Sequence, residues 1–215
     1  MEVIPGGVDA ERFKPVADRR ALRRSLGLPT EGLLLLTVRR LIARMGLKNL
    51  VDAMPMVLER EPHACLLVGG KGYLRESLRE RVAQLGIESG VRLVGFIDEA
   101  LLPKYYAASD LFVLPTVSLE GFGMVTLEAL SSGTPVLGSS AGATPEILRR
   151  LDTRLLLEGT EPEHLAGAIL RFARMDGRED LRRRCRAFVE ENYRWDEVVL
   201  RLEKTMEEMV SCGEL

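Results

Sequence analysis

Asp110-Leu111-Phe112-Val113-Leu114-Pro115, followed shortly by Glu120-Gly121-Phe122-Gly123-Met124-Val125-Thr126-Leu127-Glu128, is the stretch that decides how this chain folds. The first six residues are an apolar run closed by a proline, the pattern of a buried strand meeting a breaker. Glycines at 121 and 123 follow, and from Met124 onward the run has helical character. Strand, glycine loop and helix N-terminus, in that order, build a site for an anion. Free backbone N–H groups and the positive end of the helix dipole both meet the ligand there, and glycine lets it come close to the backbone. Glu120 and Glu128 cannot hold phosphate. They are acceptors suited to the hydroxyls of a sugar or a ribose. Phosphate contacts beside hydroxyl contacts point to a nucleotide-sugar.

The same alternation extends in both directions. Short apolar runs at 33–38, 64–68, 91–94, 111–114, 135–137 and 154–157 read as strands. They lack polar alternation, as strands covered on both faces of a parallel sheet do. Helical patterns fill the gaps at 47–58, 73–85, 101–107, 124–131 and 145–148, which predicts a doubly wound α/β sheet of about six parallel strands. After residue 157 the strands stop, and 162–174, 180–191 and 196–210 read as three helices in succession. In such a sheet ligands bind beyond the carboxyl ends of the strands. Here those ends carry Arg39-Arg40-Leu41-Ile42-Ala43-Arg44-Met45-Gly46, Gly69-Gly70-Lys71-Gly72, Gly95-Phe96-Ile97 and the acidic glycine loop. Four glycine-rich or cationic turns opening on one edge weigh more than any one of them.

Composition narrows the class of partner. The chain has 215 residues, 46% of them apolar and 29% charged, with a formal net charge of −2. That is room for one well-packed domain, and the balance gives no basis for bulk nucleic-acid binding. The three cysteines, Cys65, Cys185 and Cys212, have no metal-ligand spacing and suggest no disulfide framework. A reducing cytoplasm is the expected setting. No Asp-x-Asp pair occurs, and no metal ligand is expected. Of the two histidines, His63 and His164, neither sits in a ligand-like pattern. Arg182-Arg183-Arg184-Cys185-Arg186 is flanked by Glu179, Asp180, Glu190 and Glu191 and reads first as a solvated helix face. Peripheral contact with the cytosolic face of a membrane is the second reading.

These residues resemble the donor-binding, C-terminal half of retaining glycosyltransferases with the two-Rossmann GT-B architecture, in the large family four group. Glu120 and Glu128, with Gly-Phe-Gly between, match that family's E-x7-E signature. Other landmarks follow in order: Val3-Ile4-Pro5-Gly6-Gly7-Val8-Asp9 with Phe13-Lys14-Pro15 as the interdomain segment, Arg40-Leu41 with Gly46 as a phosphate loop, and Gly70-Lys71-Gly72 as the turn after the second strand. Gly95-Phe96-Ile97 resembles a base-contacting turn, and Trp195 an aromatic before the last helix. Two positions depart from the pattern. Arg39 stands where the phosphate loop usually has glycine, and Met45 where it usually has lysine.

The resemblance implies a Rossmann-like domain over 17–194, an interdomain segment over 1–16 and a crossover helix over 195–215. It implies that Glu128 holds the ribose and Glu120 the transferred sugar, as the catalytic position. Arg40 and the N–H groups of Phe122, Gly123, Met124 and Val125 would cradle the diphosphate, Gly121 would belong to the same substrate-binding loop, and Gly95, Phe96 and Ile97 would meet the base. Methionine at 45 leaves a missing cation, expected from Arg44 or Lys48. The donor would be a UDP-, GDP- or ADP-sugar, with no further cofactor. The acceptor domain would lie before this chain, so the 215 residues alone would bind but not transfer efficiently. The other readings of the residues are half of a sugar-nucleotide epimerase and a non-catalytic nucleotide-binding or interaction module. A dinucleotide oxidoreductase is disfavoured, because the first strand runs into arginines and not into G-x-G-x-x-G.

Overall fold

The computed structural model of the chain describes residues 4–211. Met1, Glu2 and Val3 of the 1–16 segment, Cys212, and the end of the 195–215 segment lie outside the described residues. Five strands, β1 (Leu34–Val38), β2 (Cys65–Gly69), β3 (Val91–Gly95), β4 (Leu111–Leu114) and β5 (Val136–Gly138), form one parallel sheet in the order β3-β2-β1-β4-β5. The helices between and after them are α1 (Arg19–Ser25), α2 (Leu47–Arg60), α3 (Arg75–Gln84), α4 (Leu102–Ala108), α5 (Met124–Ser131), α6 (Thr144–Leu151), α7 (Pro162–Ala173), α8 (Arg178–Asn192) and α9 (Trp195–Ser211). Every residue of β2 and β4 is buried, as unbroken apolar strands between two helix layers must be. The chain runs outward from β1 to β3, returns to β4 and continues to β5. The winding therefore reverses between β1 and β4, and an open α/β sheet leaves its ligand crevice there. None of the helices is long and apolar enough to cross a membrane, among the described residues.

The sheet has five strands, not six. Residues 154–157 were expected to be extended, but Asp152 accepts from the backbone N–H of Arg154 (3.1 Å) and holds its guanidinium at 2.9 and 2.7 Å. This Asx geometry curls Thr153–Leu155 into a 3-10 turn. Only Leu156 reaches the edge, in a single parallel bridge with Gly138. Helix α1 was not expected. Asp18 caps it by accepting from Ala21 N–H at 2.8 Å, a signal hidden by the dense charge that follows.

The arginine run of α8 divides by helical phase. Arg183 and Arg184 are exposed and pair with Asp180 and Asp152. Arg182 and Arg186 turn inward, against the solvated reading of the run. Arg182 donates to the carbonyl of Ser109 (2.9 Å), and Arg186 to those of Ala10 (2.7 Å), Phe13 (2.8 Å) and Ser131 (3.1 Å). Burial, and next the neighbouring Arg19, pull the Arg182 guanidinium down to about 10. Arg186 ties α8 to the segment before α1, and Arg182 ties it to the end of α4 and the turn before β4. Val8 pairs with Arg194, and the Gly7 backbone lies against the Trp195 ring. Beyond that point α9 exposes Trp195, Val199, Leu202, Met206 and Met209, spaced by threes and fours along one face.

Candidate functional site

The turns at the carboxyl ends of the strands are laced together by backbone hydrogen bonds. Arg39 N–H donates to Gly69 O (3.0 Å), Leu41 N–H to Lys71 O (2.8 Å) and Gly70 N–H to Gly95 O (2.6 Å). On the other side Val117 N–H donates to Arg44 O (2.8 Å) and Ser139 N–H to Leu114 O (3.0 Å). Gly46, at φ +69°, closes the loop after β1, and a Cβ there would lie 1.9 Å from the carbonyl oxygen of Pro115. Only glycine allows both that conformation and that approach. The turns enclose a cleft of about 810 Å³, lined by Arg39, Arg40, Met45, Lys71, Tyr73, Phe96, Ile97, Glu99, Glu120, Gly123, Met124 and Val125 among others.

Glu120, after β4, and Arg39, after β1, meet across the point where the winding reverses. They form an ion pair with both side chains nearly enclosed, 11% and 6% exposed. Thr116 Oγ1 donates to the same carboxylate oxygen at 3.2 Å, and the Arg39 guanidinium also lies 3.1 Å from the Met45 sulfur. Glu128 lies on α5 and is not part of the cleft lining. Its Oε2 accepts from the Tyr106 hydroxyl at 2.9 Å. Burial pushes the Glu128 carboxyl above its ordinary value; the Tyr106 hydrogen bond and the charge of Arg12 pull it partway back, and Glu99 pushes it up again. Arg12 and Glu99 are themselves an ion pair at 3.5 Å.

The cations divide into occupied and unoccupied. The Arg44 guanidinium is spent on the Leu119 carbonyl, which steadies the exposed loop before Glu120. Lys48 is exposed in the first turn of α2 and is not part of the cleft lining. The Arg40 side chain, exposed in the cleft, has no carboxylate or hydrogen-bond partner among the described residues. The Lys71 ammonium sits 4.4 Å from the centroid of the Phe96 ring, a cation–π contact in the same cleft. The opposite wall is the N-terminus of α5, capped by Gly123 at φ +75°. A Cβ on Gly123 would come within 3.4 Å of Thr144 Oγ1 and 3.5 Å of Thr126 Oγ1, and both hydroxyls are buried without partners.

Of the residues singled out in the sequence, the cleft gathers Arg40, Phe96, Ile97, Glu120, Gly123, Met124 and Val125 in its lining. Gly95, Gly121, Phe122 and Glu128 are not in that lining: Gly121 and Phe122 lie in the loop that leads into α5, Gly95 ends β3 just before Phe96, and Glu128 is held by Tyr106. Four contributors were not singled out as site residues. Tyr106 reads in sequence as one more apolar helix residue, and Thr116 and Lys71 as turn residues. Arg39 did carry a signal: it replaces glycine six positions before a methionine that replaces lysine.

Comparison with known proteins gives a consistent result. The family model for glycosyl transferases group 1 matches residues 18–195. An uncharacterized glycosyltransferase, MJ1607, of Methanocaldococcus jannaschii is 35% identical over 202 residues, covering 92% of this chain and 51% of that protein. The GDP-mannose-dependent alpha-(1-6)-phosphatidylinositol monomannoside mannosyltransferase of Mycobacterium tuberculosis is 30% identical over 209 residues, covering 94% and 54%. The chain thus spans about half the length of these relatives. Among solved structures, the C-terminal domain of a glycosyl transferase group 1 family protein (LpcC) from Francisella tularensis superposes with a TM-score of 0.78 at 25% identity, covering 88% of this chain and all of that one.

Proposed function

The chain belongs to the glycosyl transferases of group 1, and on that premise we propose that it is the donor-binding half of a retaining hexosyltransferase, holding a nucleotide-diphosphate sugar in the cleft beyond β1, β2, β3 and β4. The observation that carries this reading is the charge pattern of the cleft. Two cations without carboxylate partners among the described residues, Arg40 and Lys71, share it with the N-terminus of a helix and with a carboxylate.

Each group then has a task. Arg40 and the first N–H groups of α5 take the diphosphate, where negative charge builds as the sugar leaves; preorganised donors at that point supply the largest catalytic contribution. That arrangement needs no metal, because the diphosphate is already a good leaving group. Glu128, presented by Tyr106, accepts from the ribose hydroxyls. Glu120 accepts from hydroxyls of the transferred ring, and Phe96 with Ile97 flanks the base. The Mycobacterium tuberculosis relative is GDP-mannose-dependent by name, which supports a nucleotide-sugar donor. The acceptor is presented by a companion domain that packs on the apolar face of α9. The 215 residues fold and bind alone but do not transfer sugar efficiently.

Melting the chain with millimolar UDP-, GDP- and ADP-sugars tests this. A ligand held only by the folded state stabilises it by RT ln(1 + [L]/Kd), about 2.7 kcal/mol at a hundredfold excess over Kd. One base is expected to raise the melting temperature well above the others. No shift with any of them favours an interaction module instead.

A further inference from the structure

Arg39 has an unfilled hydrogen-bonding position. Its side chain is 6% exposed and lines the cleft. One terminal nitrogen, Nη2, is engaged with Glu120 and lies beside the Met45 sulfur. The other, Nη1, is buried with no hydrogen-bond partner among the described residues. Guanidinium keeps its charge in any protein environment, and its planar fork is made to engage two acceptors at once. An unmet donor on a buried charged group is among the costliest vacancies a fold can keep. Such a group calls for an explanation, and in a binding cleft a ligand acceptor is one.

The sequence around it explains why the vacancy falls here. By the resemblance, Met45 stands where a lysine is usual and Arg39 where a glycine is usual, and the Arg39 guanidinium lies 3.1 Å from the Met45 sulfur. The other cations of the loop are not equivalent to it. Arg44 is committed to the Leu119 carbonyl, and Lys48 lies outside the cleft lining.

We propose that Arg39 is the second diphosphate-binding cation of this site: as the nucleotide diphosphate enters, the guanidinium turns so that Nη1 comes into the cleft and donates to a non-bridging oxygen while Nη2 keeps its hold on Glu120. The inference rests on the nucleotide-sugar reading above and deepens it. It makes one side chain couple two events, since the residue that receives the diphosphate also fixes the carboxylate facing the transferred sugar.

The test separates this inference from the reading beneath it. Affinities of the full chain are measured for UMP and UDP, GMP and GDP, and AMP and ADP. In the parent chain the favoured base is expected to gain at least tenfold from monophosphate to diphosphate. Arg39→Met is expected to cut that gain below threefold while monophosphate affinity holds. A purely structural role would weaken both alike. Arg39→Gly combined with Met45→Lys, which moves the cation across to position 45, is expected to restore the gain. Should Arg39→Met unfold because Glu120 loses its counter-charge, the comparison is made in a Glu120→Gln background. A full diphosphate gain in Arg39→Met overturns the assignment and leaves the nucleotide-sugar reading standing. Failure of the parent chain to bind any nucleotide overturns both.

Discussion

The Tyr106 hydroxyl donates to Oε2 of Glu128 at 2.9 Å, from a ring that is wholly buried between Phe13 and Phe112, with centroids 5.9 and 5.3 Å away. The orientation of the carboxylate is therefore set by the core, not by solvent. The bond also favours the charged form of Glu128 against its burial. Replacing Tyr106 with Phe keeps the ring and removes the donor. A hydrogen bond to a charged group contributes about 1.5–3 kcal/mol, so nucleotide affinity is expected to fall roughly tenfold or more. The carboxyl then rises further, and the pH at which binding reaches half its plateau moves upward. Calorimetric titrations between pH 5 and 8 check both.

Glu128 itself works against the stability of the empty domain. Its folded-state carboxyl is raised by burial, so the native state holds its proton to higher pH than the unfolded chain does. Stability from this group is present below the unfolded value and is lost as pH rises through the folded one. Glu128→Gln removes that loss. The empty variant is expected to melt no lower than the parent at pH 7 and to have lost its nucleotide-induced shift. Scanning calorimetry at pH 5 and pH 7 checks this, and the advantage of the variant is larger at pH 7.

Asp110 shows the opposite sign. Burial pushes its carboxyl up, but Arg19, Arg23 (2.8 Å) and the Leu34 N–H (2.7 Å) outweigh burial and hold it low. Its contribution is present above the unfolded value near 3.9 and is lost as pH falls through the folded one. Asp110→Asn leaves the buried Arg23 without its counter-charge and detaches α1 from the starts of β1 and β4. A loss of about 2–4 kcal/mol is expected, measured by urea unfolding at pH 7, with a smaller difference from the parent at pH 3.

Gly46→Ala tests the lacing of the loops. A methyl group at φ +69°, driven to 1.9 Å from the Pro115 carbonyl, forces the turns after β1 and β4 apart. The strain exceeds the ~1 kcal/mol of an ordinary glycine replacement. Nucleotide affinity is expected to fall together with the melting temperature, since the cleft is built from both turns.

The β4–α5 stretch and the uninterrupted apolar strands made the sheet, its parallel sense and the edge on which the cleft opens legible in the sequence, because burial on both faces leaves a pattern that local composition carries. The sixth strand was misread because Leu155, Leu156 and Leu157 have strand composition, while the side chain of Asp152 decides the backbone. The site was legible where backbone makes it, at Gly123 and the α5 N-terminus. It was not legible where distant side chains meet. Tyr106 and Glu128 are twenty-two residues apart and Arg39 and Glu120 eighty-one, and no local pattern records either pairing.

The central claim is that Glu128 holds the nucleotide of a donor bound in this cleft. It is tested most directly by isothermal titration of the parent and Glu128→Ala chains with the nucleotide-sugar that stabilises the parent best. One-to-one binding by the parent, and binding at least tenfold weaker by a Glu128→Ala chain whose cooperative melting shows that it is folded, is the predicted result. Equal affinity in the two chains contradicts it.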